Sequence, residues 1–484
     1  MNRTLKEKAI NGAIWNAIGN FSQQGIQFVI SIILARLLLP EQFGLIGMLA
    51  IFFAIARAFL DSGFGQALIQ KKNPSPEDYS TVFIFNISIS LVLYCVLYVT
   101  APFIADFYKQ SELTNLARFV GINILINSFS LVQNAIIIKR IDFKTQTKIS
   151  LVSVSLSGGL GIALAYNGFG VWSLAIQQVS MTLSRAFLLW FFSKWHPTLV
   201  FNFESFKNLF SYGSKLLLSG LLNVIFDNIY TITIGKAFSA LDLGFYSRAV
   251  RLQDLPTKNI NGIFQNVTFP TFVKIQDDNR RLKIGYQKTL KSMVFVNFPI
   301  MLGMLVMARP LVITLLTEKW LPAVPYLQLL TLVGITYPIN SLNLNILKVK
   351  GRSDLFLKLE IIKKVFIALA IVISINFGML AIVVGQVITA YICLFINSYY
   401  MNKFLDYHLK EQILDILPTF SLATLMSTAL YFFSFLNLDH MQLLITQIAL
   451  GVLIYSVLAK IFSLDAYQEF RTIALNKFPG LKLI

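Results

Sequence analysis

Apolar runs of about twenty residues recur along the whole of this 484-residue chain, and that recurrence constrains the fold more than any single motif. Runs of spanning length fall near 10–35, 43–66, 80–104, 113–138, 148–166, 169–193, 211–235, 243–269, 288–308, 322–346, 358–376, 379–400, 413–436 and 441–462, with polar or Pro/Gly-containing connections between them. A hydrophobic share of 56% against 13% charged residues is more apolar surface than a globular core can bury. The expected fold is an all-α polytopic membrane protein of about fourteen transmembrane helices. The first run follows Arg3, Lys6 and Lys8, but Asn16, Asn20, Gln23 and Gln24 interrupt it and no small-residue cleavage site follows. An uncleaved first helix is therefore expected rather than a removable signal peptide.

The net charge of +18 is informative through its distribution. With a cytoplasmic N-terminus, 26 Lys and Arg lie at connections and helix ends on the cytoplasmic side, and five lie opposite: Arg36, Lys109, Lys236, Arg309 and Lys319. That asymmetry predicts cytoplasmic termini. It also tests the stretch "YSRAVRLQDLPTK" at 246–258, whose charges are unusual for a span. If 243–269 were a surface loop, every later segment would flip and fifteen positive charges would change sides. The charged stretch is thus expected within the membrane.

Two cysteines, Cys95 and Cys393, sit in separate apolar runs, which argues against a disulfide framework and a thiolate metal site. His196, His408 and His440 stand alone at predicted span ends, so no metal site is expected. No Gly-rich nucleotide loop, HExxH or GxSxG occurs, which argues against an enzyme. The basic excess is absorbed by membrane topology, and nucleic acid is not an expected partner.

An internal repeat organises the chain. "ILARLLLPEQFGLIGM" (33–48) lies over "TIGKAFSALDLGFYSR" (233–248) at an offset of 200, pairing Arg36 with Lys236 and Gly44 with Gly244. "GFGVWSLAIQQV" (168–179) lies over "NFGMLAIVVGQV" (376–387), retaining Phe-Gly and Gln-Val. Two matches in the same order argue for duplication. Six spans per repeat, an even number, give both copies one orientation, the parallel-repeat transporter plan. The expected organisation is a six-helix lobe at 1–195, an interfacial linker at 196–210, a second six-helix lobe at 211–402, and two further helices with a tail at 403–484.

Within the spans, Arg248, Arg251, Asp254 and Lys258 advance by three or four residues and share one helix face. Arg251 to Asp254 and Asp254 to Lys258 are both spaced for ion pairs, and the stripe remains net positive. Pro256 predicts a kink, either for packing or as a bend in a moving part. In the first repeat, Arg57 and Asp61 stand at i, i+4, and Arg185 lies at similar depth in the sixth span. Asp227 is an isolated carboxylate that either pairs with an Arg of the eighth span or serves as a proton or cation coupling site. Lys215, Lys291, Lys363, Lys364 and Arg118 lie near helix ends, where long side chains reach the interface. A charge at the bilayer centre costs ~2.5–3.5 kcal/mol, so several on buried faces imply a hydrated cavity and an anionic substrate. Arg binds phosphate bidentately and stays charged. Energy would come from an ion gradient, with Na⁺ and H⁺ as candidate coupling ions, from the membrane potential, or from the substrate gradient.

The segments "SGFGQALIQKKNPSPEDYSTVFIFNISIS" (62–90), "FDNIYTITIGKAFSALDLGFYSRAVRLQDLP" (226–256), "NVTFPTFVKIQDD" (266–278) and "EKWLPAVPYLQLLT" (318–331) resemble the polysaccharide-transport branch of the multidrug/oligosaccharidyl-lipid/polysaccharide flippases, of the Wzx type and colanic-acid-exporter kind. The resemblance runs from about residue 5 to about residue 400. It implies a V-shaped pair of six-helix lobes around a cationic cavity, in a bacterial cytoplasmic membrane. Such a protein moves an undecaprenyl-pyrophosphate-linked oligosaccharide to the outer leaflet by alternating access, amid membrane lipids and with a polysaccharide polymerase left open as a partner. Arg57, Arg185, Arg248, Arg251 and Lys258 are the candidates for holding the pyrophosphate, with Asp61 and Asp254 poising them. Only Arg248 falls within a plainly matching motif, "GFYSRA". Two rivals stand beside this expectation. A multidrug extruder shares the architecture but favours acidic and aromatic cavity residues, and a glycan polymerase or ligase needs a larger outer loop than any here.

Overall fold

The computed structural model describes residues 3–60, 64–198, 200–204, 206–207, 221 and 223–477, and these form helices joined by short connections. The chain divides into two compact units, Met1–Gly244 and Phe245–Ile484.

Unit 1 contains α1 (Arg3–Leu37), α2 (Pro40–Leu60), α3 (Phe64–Gln70), α4 (Pro76–Tyr108), α5 (Glu112–Ser128), α6 (Leu131–Lys139), α7 (Phe143–Tyr166), α8 (Val171–Ser193) and α9 (Ile229–Ala237). It also holds the first turn of α10 (Ala240–Lys274). The start of α4 is set by local chemistry. Ser75 Oγ accepts from the Asp78 backbone N–H at 3.2 Å, the Asp78 carboxylate accepts from the Ser75 N–H at 2.7 Å, and Pro76 occupies the first helical turn. Asp78 is fully buried and also pairs with Lys71 at 2.7 Å. The apolar run at 113–138, expected as one span, is instead two helices, α5 and α6, bent by 43°. Ser128 and Ser130 flank the break, and each hydroxyl donates to a carbonyl three residues back, drawing polar bonds away from a straight helix. In the packing of unit 1, α1 lies on α7, α7 on α8, and α4 on α5.

The expected interfacial linker packs on the first turns of α4 over its described part. The Thr198 N–H donates to Ser80 Oγ at 3.1 Å and the Asn202 N–H to Thr81 Oγ1 at 3.0 Å. Trp195 meets Phe83 edge-on at 5.7 Å between ring centres, and Phe206 meets Phe85 at 5.1 Å. Leu68, Val82, Phe83, Val132 and Ile136 form the apolar core behind these rings.

Unit 2 contains the rest of α10, then α11 (Asn279–Val306), α12 (Ala308–Leu316), a 3₁₀ turn (Glu318–Ala323), α13 (Val324–Val349), α14 (Ser353–Ser374), α15 (Met379–Leu405), α16 (Leu409–Phe433), α17 (His440–Ile461) and α18 (Asp465–Lys477). Helix α11 is central, packing against α13 and α16. A buried polar chain fixes these contacts. Tyr286 donates to the Asn343 side-chain oxygen, the Asn343 amide donates to Ser398 Oγ at 3.2 Å, and Ser398 donates to Gln412 Oε1 at 3.0 Å. Each partner is satisfied inside the helix bundle, where an unpaired amide would be costly. The two helices beyond the repeat thus have a packing role: α16 closes one side of α11, and α17 packs on α16.

Among the described residues, eight helices are long and apolar enough to cross a membrane, or nine if the bent α5–α6 pair is one span. The chain is a multi-span helical membrane protein. Residues 211–220 and 222 of the run at 211–235 lie outside the described residues, its end overlaps α9, and every other run overlaps a helix.

The repeat leaves a conformational signature. Gly170 and Gly378, the glycines of the two matched Phe-Gly pairs, immediately precede α8 and α15 with φ of 54° and 95°. Both are left-handed positions that an L side chain rarely adopts, which explains why each copy keeps Gly there.

Candidate functional site

The stretch 246–258 lies within α10, which runs unbroken from Ala240 to Lys274 through both Pro256 and Pro270. Side chains bond back to the backbone around Pro256. Thr257 Oγ1 donates to the Gln253 carbonyl at 3.0 Å, and Asn259 Nδ2 donates to the Leu255 carbonyl at 2.7 Å. The proline therefore removes one backbone donor without ending the helix.

The helix has two faces. Tyr246, Ala249, Leu252, Gln253 and Thr257 are buried, and Thr257 lies 3.6 Å from the Met301 sulfur of α11. On the opposite side, Arg251 and Lys258 are exposed, and Arg248 and Asp254 are partly buried. Asp254 pairs with Lys258 at 2.6 Å, taking the partner one turn on rather than Arg251 one turn back. Arg248 is held by an aromatic surface: its guanidinium carbon lies 5.9 Å from the ring centre of Trp320, which is fully buried. Arg248 and Arg251 are close enough to repel electrostatically. Seating one Arg against a ring while a second stands nearby concentrates positive charge that an anion would relieve.

Unit 1 carries a second cationic pair. Arg57, exposed near the end of α2, and Arg185, partly buried on α8, also lie close enough to repel each other. Arg185 Nη2 donates to the Asn134 side-chain oxygen at 3.4 Å, a contact that ties α8 to α6. Neighbouring Gln133 is fully buried, and among the described residues neither of its amide atoms has a hydrogen-bond partner. Asp61 lies outside the described residues. Asp227 is exposed and sits just before α9. Lys215 lies outside the described residues, and Lys363 pairs with Glu360.

The structure thus brings Arg57 to Arg185 in unit 1, and Arg248 to Arg251 and Lys258 to Asp254 in unit 2. Sequence reasoning missed Trp320 and Asn134. Trp320 lies inside the motif "EKWLPAVPYLQLLT", the one available signal, whereas nothing local marks Asn134.

The fold and this arrangement define a class of multi-span helical membrane protein. The structure resembles the lipid II flippase MurJ in an inward closed conformation, with a TM-score of 0.75 at 16% identity over 93% of this chain and 98% of that one. Residues 33–325 match the family described as polysaccharide biosynthesis protein, and the chain belongs to that family. It is 32% identical over 354 residues to the teichuronic acid biosynthesis protein TuaB of Bacillus subtilis, covering 73% of each chain. It is 28% identical over 402 residues to the lipopolysaccharide biosynthesis protein WzxC of Escherichia coli, covering 82% of this chain and 80% of the relative. The resemblance to the polysaccharide-transport flippases carried by the sequence motifs is borne out.

Proposed function

We propose that this protein is a flippase that moves an undecaprenyl-pyrophosphate-linked oligosaccharide across a bacterial cytoplasmic membrane for surface polysaccharide synthesis. It acts as a transporter rather than an enzyme. The observation that carries the reading is the face of α10, where Arg248 and Arg251 stand together with the Asp254–Lys258 pair. A pyrophosphate offers the concentrated negative charge that such a face requires, and guanidinium groups engage its oxygens in parallel hydrogen bonds. Within unit 1, Arg57 and Arg185 form a further pair of guanidinium donors. The family membership and the polysaccharide-related names of the relatives support the same cargo class.

Alternating access moves the headgroup through differential affinity of the two states, driven by an Na⁺ or H⁺ gradient with Asp227 as the candidate coupling carboxylate. Both termini are cytoplasmic in this reading, which follows the distribution of Lys and Arg.

The test is flipping of a fluorescent undecaprenyl-pyrophosphate-linked oligosaccharide in proteoliposomes, with and without imposed ion gradients. The wild type flips the lipid and the Arg248→Ala/Arg251→Ala double variant does not, at equal incorporation and equal thermal stability. A double variant that flips normally sinks the headgroup assignment. A wild type that extrudes a cationic dye and leaves the lipid unmoved makes the protein a drug exporter instead.

A further inference from the structure

Away from the cationic faces, unit 1 has a shallow cavity of about 390 Å³ where α4, α5 and the start of α8 meet. Its walls include Tyr94, Tyr98, Asn115, Arg118, Phe119 and Trp172. The volume lies at the small end of the ~300–1,000 Å³ found for small-molecule sites. The density of aromatic rings around one cation is what sets it apart.

The walls are fixed by bonds that leave their polar tips open. The Arg118 guanidinium lies over the Tyr98 ring at 4.3 Å, and its Nε donates to the Tyr98 carbonyl at 3.3 Å. The Tyr94 hydroxyl donates to the Arg118 carbonyl at 3.3 Å, locking α4 to α5. Phe119 meets Trp172 edge-on at 5.5 Å, joining α5 to α8. Among the described residues, no side chain or carbonyl engages the terminal nitrogens of Arg118 or the amide of the exposed Asn115. The guanidinium is therefore held in place by its Nε and one face, which leaves the four N–H donors of its terminal nitrogens for a ligand.

Flat aromatic faces beside fixed planar donors suit one ligand chemistry. A pyranose ring presents a face of axial C–H groups that packs on an aromatic ring, while its equatorial hydroxyls reach hydrogen-bond donors at the rim. A carboxylate on that ring would take two parallel bonds from the guanidinium fork. We propose that the recess of Tyr94, Tyr98, Arg118 and Trp172 is a saccharide subsite that takes a pyranose ring bearing a carboxylate. Its location fits the glycan end of the cargo. Arg118 lies six residues into α5 and Trp172 opens α8, so the recess adjoins the connections 109–111 and 167–170. Those connections hold Lys109 as their one Lys or Arg, on the side that the charge distribution assigns to the exterior. Resting on the flippase reading above, the recess receives the glycan as it emerges beyond the outer leaflet.

The experiment uses full-length protein in phosphatidylglycerol/phosphatidylethanolamine nanodiscs, titrated with hyaluronan tetrasaccharide, with neutral maltotetraose and with glycerol 3-phosphate. Saturation-transfer NMR of the sugar protons and Trp fluorescence report binding, with empty nanodiscs as the blank. The acidic tetrasaccharide binds the wild type and outcompetes maltotetraose. Arg118→Gln weakens the acidic sugar about tenfold and removes the preference, as loss of a charge-assisted pair requires. Tyr98→Leu weakens both sugars, and Trp172→Phe, which keeps a ring, retains them. Arg118→Lys, which keeps the charge and the fold but not the fork, weakens the acidic sugar while leaving the melting temperature unchanged. Sugar signals that are absent from the wild type or indifferent to these variants overturn the subsite, and equal competition by glycerol 3-phosphate makes it a lipid headgroup seat. The same proteins in the flipping assay separate the two ideas. A wild type that flips without binding sugar sinks the recess alone, and one that binds sugar without flipping sinks the flippase reading alone.

Discussion

Gly44 of α2 faces the backbone carbonyl of Ala240 so closely that a Cβ added to it would lie 1.7 Å from that oxygen. Gly244 faces the carbonyl of Pro40 in return, with a corresponding distance of 2.0 Å. Both contacts lie within unit 1, and each partner is offset from its counterpart by 200 residues, the offset of the sequence repeat. The first turns of α2 and α10 therefore cross as equivalents, backbone against backbone, at a point where only glycine leaves room.

Gly44→Ala should destabilise the protein by about 1–3 kcal/mol, since the clashing atom is backbone and has no rotamer to change. The melting temperature in detergent, followed by tryptophan fluorescence, should fall accordingly. Gly25→Ala is the control: among the described residues, no atom beyond its own turn of helix lies within 4 Å of its added Cβ, and a helix interior gains ~0.5–1 kcal/mol from the change. Equal behaviour of the two variants would refute the close crossing.

The seat of Arg248 on Trp320 predicts a graded series. Trp320→Phe keeps a ring beneath the guanidinium and should hold transport near the wild-type level. Trp320→Leu removes a contact worth ~0.5–2 kcal/mol and should raise the apparent KM for the lipid-linked substrate several-fold. Flipping rates against substrate density, with the melting temperature as a folding control, distinguish this from a loss of packing.

Asp254→Asn releases Lys258 from its 2.6 Å pair. Lys258 is 63% exposed and Asp254 29%, so the pair contributes under about 0.5 kcal/mol to stability, and the melting temperature should scarcely move. The stripe gains a positive charge, so the apparent KM for the pyrophosphate-bearing substrate should fall. A higher KM would show that Asp254 helps to position the substrate.

The docking of α18 depends on a few ion pairs. Lys291 lies 3.3 Å from Asp415 of α16 and 3.1 Å from Asp465 of α18, and Phe295 stacks on Phe470 at 5.7 Å. Lys291→Met should cost about 1 kcal/mol of that docking, because the lysine is partly screened by solvent. Amide hydrogen exchange across 465–477 should accelerate about fivefold, the factor that this free energy corresponds to. Unchanged exchange would place the weight of docking on the aromatic stack.

By itself the sequence determined the helical membrane class, the polar stripe on α10 and the duplication, because each of these is a short-range regularity. An apolar run long enough to span, charges at every third or fourth residue, and a Phe-Gly pair repeated 208 residues on can all be read without knowing any tertiary contact. The tertiary structure alone decided the bend between α5 and α6, the choice of Lys258 over Arg251 by Asp254, and the pairings of Arg248 with Trp320 and Arg185 with Asn134. It also decided that residues as distant as Tyr94 and Trp172 share one recess. Such partners stand tens of residues apart, and helix crossings and rotamers that no local period encodes bring them together.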